Sequence, residues 1–121
     1  GAGALPVDQQ ALRDTIAAIP NAAGLLAVFD SDPAEFTKVR DDTTTPENKN
    51  NPIYLSAKFL IAKMGIKLPP AKVKTLMAII RQFINEPRIV NLTKANFDAY
   101  LKLDPAKQAL VTTIDDLLNL I

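Results

Sequence analysis

The chain has 121 residues, 48% of them apolar, which is the size of one ordinary domain with material for a single continuous core. Its 14 basic and 13 acidic side chains leave a charge of +1, so the bulk composition announces neither a nucleic-acid tail nor a disordered acidic chain. The absence of Cys, His and Trp excludes disulfide frameworks, thiol nucleophiles, Cys/His metal sites and every mechanism that uses imidazole.

The opening Gly1-Ala2-Gly3-Ala4 reads as a cloning or cleavage remnant outside the fold, which leaves residues 5–121 as one helical domain. No basic-then-apolar leader is visible, and every apolar run falls short of the roughly 20 residues that span a bilayer. A soluble domain without membrane insertion is expected.

From residue 8 to 19, Leu12, Ile16 and Ile19 form one helical stripe, with Asp8 as the expected cap and Pro20 as the stop. Asn21 is expected to open a short helix anchored by Leu25, Leu26 and Phe29. Asp32-Pro33-Ala34-Glu35 joins a cap residue, proline at the first helical position and Glu three residues after the cap, which predicts a helix to about Arg40 held by Phe36 and Val39. Residues 41–51 offer no large apolar group and are expected to form the longest loop, a solvated connector.

Asn51-Pro52 repeats the cap-and-proline start, and residues 53–64 carry apolar groups on more than one face, as a central helix should. Gly65 supplies a left-handed stop. Pro69-Pro70 introduces a long helix to about Asn85, with Val73, Leu76, Met77, Ile80, Phe83 and Ile84 at the 3.6-residue period and Pro87 closing it. Residues 88–92 read as an extended connector that buries Ile89 and Leu92. Thr93 caps a helix with Phe97 and Tyr100, and Asp104-Pro105 starts a final helix whose stripe of Leu110, Val111, Ile114, Leu117, Leu118 and Ile121 docks back onto the core. The expected fold is all-α: a compact bundle of about six to seven short helices around a central apolar helix near 52–64.

Catalytic equipment is sparse. The two serines, Ser31 and Ser56, have no His to activate them, and Ser56 with Lys58 stands on different helix faces and reads as polar surface. Four glycines, two of them in the leader, make no phosphate cradle. The acidic groups Asp30 to Glu35, Asp41-Asp42 and Asp115-Asp116 lack the spacing of a calcium loop, and the last pair reads as the solvated flank of an apolar stripe. Tyr54, Phe59, Phe83, Phe97 and Tyr100 sit in apolar stripes and are assigned to the core. No catalytic, metal or cofactor residue is therefore expected, and the chain is read as not an enzyme.

Charge is segregated along the chain. Residues 1–47 carry three cations against eight acids, a balance of −5, whereas residues 58–88 carry seven cations against one acid, a balance of +6. Lys63, Lys67, Lys72 and Lys74 cluster where one predicted helix hands over to the next, and they are the candidate partner-binding residues. The favoured expectation is a non-catalytic helical protein–protein interaction domain, an adaptor-like part of a larger protein or assembly. The alternative is a nucleic-acid-binding or packaging domain that uses the basic 58–88 segment for backbone contacts, although four arginines with no clustered helix face argue against base-specific reading.

Overall fold

A computed structural model describes residues 5–121; the remnant proposed at residues 1–4 lies outside them. The described chain is all-α, a bundle of nine α-helices and one 3-10 turn. In order these are α1 (Val7–Ala17), α2 (Ala23–Ser31), α3 (Pro33–Asp42), α4 (Pro46–Lys49), α5 (Pro52–Met64), α6 (Pro70–Gln82), the 3-10 turn (Pro87–Asn91), α7 (Lys94–Lys102), α8 (Pro105–Gln108) and α9 (Ile114–Leu118).

Local chemistry explains most of these starts. Proline opens α3, α4, α5, α6, α8 and the 3-10 turn, where its missing N–H would have had no intrahelical acceptor. Caps satisfy the donors that remain: the Asp32 carboxylate accepts from Glu35 N at 3.2 Å, Asn51 Oδ1 from Ile53 N and Tyr54 N at 3.1 and 3.2 Å, and Asp104 from Lys107 N at 2.9 Å. Gly65 ends α5 in the left-handed region at φ 67°, which a Cβ would oppose.

The α5 helix is central. It buries Leu55, Ser56, Ala57, Phe59, Leu60, Ile61 and Met64, and α2, α3, α4 and α6 pack around it. A chain of rings holds this packing: Phe29 meets Phe36 edge-on at 5.4 Å between centroids, and Phe36 meets Phe59 at 5.4 Å. Ser56 belongs to this core and not to the polar surface expected for it; its hydroxyl donates to the Pro52 carbonyl at 2.8 Å, which removes the penalty of burying it. A second layer forms from α7, α9 and the 3-10 turn. There the buried amide of Asn96 donates to the carbonyls of Leu117 at 3.2 Å and Leu118 at 2.8 Å and so closes the end of α9.

Several boundaries differ from expectation, each for an identifiable reason. Pro6 and not Asp8 precedes α1; Asp8 lies within the first helical turn, where its carboxylate pairs with Arg40 on α3 at 2.7 Å instead of capping. Asn21 does not open α2; it takes the left-handed turn at φ 58°, which its short polar side chain tolerates, and the helix begins at Ala23. The expected 41–51 loop is shorter, since Asp42 is still helical and Pro46 nucleates the single turn α4. The α6 helix stops at Gln82, not Asn85, because the chain swings away to let the Ile84 carbonyl accept from Leu25 N at 3.1 Å.

Two corrections concern conformation. Residues 88–92 bury Ile89 and Leu92 as expected, but within a 3-10 turn started by Pro87, with the Glu86 carboxylate accepting from Arg88 N at 3.1 Å. The expected helix over 105–121 is broken into α8 and α9. Thr113 Oγ1 accepts from Asp116 N at 2.9 Å while the Asp116 carboxylate accepts from Thr113 N at 3.2 Å, a reciprocal cap that restarts the helix after a β-branched run. Asp116 is thus a capping group, not a solvated flank. The restart brings Ile114 and Leu117 into the core and leaves Leu110 and Ile121 each 76% exposed.

Candidate interaction surface

The α5 and α6 helices pack on each other through a short connection, and their outer edges leave a groove of about 410 Å³. Helical spacing builds it. Tyr54 and Lys58 lie one turn apart on α5, and Pro70, Val73, Lys74 and Met77 follow the i, i+3, i+4, i+7 rule on α6, so each helix presents one consistent face. Leu68 from the connection and Asn48 from α4 complete the lining. Tyr54, Leu68, Val73 and Met77 are half-buried: they rest on the core on one side and face the groove on the other.

The four lysines singled out by sequence do not share one surface. Lys63 places its amine 5.3 Å from the centre of the Phe59 ring, and Lys72 lies 5.2 Å from the centre of the Tyr100 ring while donating to Gln108 Oε1 at 2.5 Å. Lys67 is exposed on the connection between α5 and α6. Lys74 is the one of the four that lines the groove, and there it joins Lys58, which belongs to the basic 58–88 segment but was not among the partner-binding residues expected from sequence. Lys72 and Lys74 part company because two positions along a helix turn a side chain to nearly the opposite face.

Of the two arginines in the basic segment, Arg88 is committed within the fold, whereas Arg81 is exposed on α6. Arg88 pairs with Glu86 at 2.8 Å and also with Asp115, which joins the 3-10 turn to α9. The hydrogen bonds from the Arg88 side chain, with a further one from its backbone, lower the Glu86 pKa from 4.5 to about 2. In the acidic third, Arg13 grips Asp30 with two bonds of 2.9 and 3.0 Å, and Arg40 holds Asp8 and Asp41 at 2.7 and 2.8 Å. The hydrogen bond to Asp8 is the main reason the Arg40 pKa is raised.

Two further hollows are present. One of about 400 Å³ between α3 and α5 is lined by both signs of charge, Glu35 and Asp42 against Lys38 and Lys58. The other, about 240 Å³, adjoins Arg40, whose guanidinium already holds its two carboxylates. Both serine hydroxyls donate to backbone carbonyls, Ser31 to Val28 at 2.7 Å and Ser56 to Pro52 at 2.8 Å. Among the described residues no three Asp or Glu side chains group as a metal site, and no helix is long and apolar enough to cross a membrane. No protein-family model matches this chain, and no curated protein or solved structure matches it either.

Proposed function

We propose that this chain is a non-catalytic helical protein–protein interaction domain, part of a larger protein or assembly, and that the α5–α6 groove is its contact surface. The observation that carries this is the groove's half-buried apolar floor, formed by Tyr54 of α5, Val73 and Met77 of α6 and Leu68 of the connection, and left open by the rest of the described chain. A nucleic-acid surface has less support. Lys63, Lys72 and Arg88 each have a ring, an amide or carboxylates of this chain as neighbours, so the +6 segment does not present itself as one continuous phosphate-binding face.

Site-specific photo-crosslinking tests the proposal. A benzophenone side chain placed at Met77 in the groove is expected to give a discrete adduct with one other protein in the cells that make this chain, whereas the same group at exposed Asp14 on α1 gives none. Adducts at both positions alike, or at neither, would refute it. Saturable binding of a short labelled DNA or RNA, falling steeply with added salt, would replace it with the nucleic-acid alternative.

A further inference from the structure

The groove is amphiphilic, and the charge on its edge has one sign. Lys58 and Lys74 border the apolar floor, and neither lies within ion-pair distance of a carboxylate among the described residues. Ammonium groups beside half-dry apolar surface attract an anion most strongly when the anion's carrier also excludes water from that surface.

We infer that the α5–α6 groove binds an acidic amphipathic segment of a partner protein, with apolar side chains on Tyr54, Val73 and Met77 and carboxylates against Lys58 and Lys74. The inference rests on the interaction proposal above and specifies the partner. A volume of about 410 Å³ accommodates one or two large side chains, not a whole element, which is the footprint of a peptide anchor. Met77 supplies an unbranched, polarizable wall that adapts to the anchor's shape.

The acidic helix α3 of a second copy fits the groove less well: it exposes Asp41 and Asp42 but keeps Phe36 fully in the core, so it offers charge without a large apolar anchor. A phosphate backbone has the same shortcoming, since it would neutralise the amines and leave the floor without an aliphatic partner.

The test is a fluorescence-anisotropy titration of the whole chain with a labelled helical peptide of about 15 residues, bearing Leu or Phe at i, i+4 and i+7 flanked by Glu. A matched peptide with Lys for Glu and a single-stranded oligonucleotide of equal length serve as competitors. The acidic peptide is expected to bind saturably, with the Lys version weaker by about tenfold or more. Lys58→Glu with Lys74→Glu should invert that preference while circular dichroism shows the helices retained. Lys74→Glu alone, at an exposed position, should move it the same way by a smaller factor and guards against misfolding of the double variant.

Equal affinity for both peptides, a preference unmoved by the lysine variants, or tighter binding of the oligonucleotide would overturn the inference. Failure of the acidic peptide together with a protein adduct at Met77 rejects the acidic partner and keeps the interaction domain. Failure of both rejects the two together.

Discussion

A methyl group added to Gly24 would lie 2.6 Å from the Ile84 carbonyl oxygen and 2.7 Å from that of Glu86. Both contacts are backbone and cannot swing aside, so α2 would have to move away from the 83–89 segment against which it packs. Gly24→Ala is expected to destabilise the fold by about 1–3 kcal/mol, measured by urea denaturation. Gly65→Ala meets no atom within 4 Å and carries only the left-handed strain of its φ of 67°, about 1–2 kcal/mol. A clearly milder effect at Gly24 than at Gly65 would show that the approach of α2 is more yielding than its geometry implies. The two glycines also differ in legibility. Gly65 announces itself by following an apolar helical run, whereas the need for Gly24 comes from carbonyls far along the chain, which no local pattern contains.

Among the helices, three starts were legible where Asp or Asn met proline, while the same kind of start at Thr45-Pro46 was hidden in a stretch without large apolar residues. Asp32-Pro33, Asn51-Pro52 and Asp104-Pro105 all begin helices in the structure because cap and fixed φ act within one turn. The break at residues 109–113 was missed because an apolar period continues across it, and the period outweighed the threonines that interrupt it. Thr113→Ala removes one half of the reciprocal cap and is expected to cost about 1 kcal/mol. Amide hydrogen exchange checks both points: exchange within residues 114–118 should quicken in the variant, and unchanged exchange there would mean that burial of Ile114 and Leu117 alone holds α9. The candidate surface was half legible for a similar reason. Lysine density and helical spacing are sequence properties, so a basic edge near α5 and α6 was foreseen. That Lys63 and Lys72 lie near Phe59 and Tyr100 depends on rings placed by packing, and Lys58 emerged only once α5 and α6 were laid side by side.

For the whole molecule, charge couples distant parts of the fold to pH. Arg13, Arg40 and Arg88 tie α1 to α2, α1 to α3, and the 3-10 turn to α9 through exposed or half-exposed carboxylates. Hydrogen bonds lower the pKa of Asp8, Glu86 and Asp116 on folding, from Arg40, from Arg88 and from the Thr112–Thr113 cap respectively. A carboxylate whose pKa is lower in the folded state stabilises above its unfolded pKa and loses that contribution as pH falls. For Glu86 the loss runs from pH 4.5 to about 2. Thermal unfolding should therefore fall through that window, and Glu86→Gln should flatten the decline while lowering the melting temperature at neutral pH. An unchanged acid limb in Glu86→Gln would assign the loss to the other carboxylates.

The meeting of α2 with the 83–89 segment also orders events in time. The backbone of Leu25 finds its acceptor on Ile84, and Ile89 fills the space beside Gly24. On the ribosome, then, α2 emerges before the segment it packs against, which is translated much later, and the helices between them are made against an unfinished wall. Nascent chains arrested with residue 82 just outside the exit tunnel should be cut readily by protease around α2. Those arrested once residue 92 has cleared it should resist.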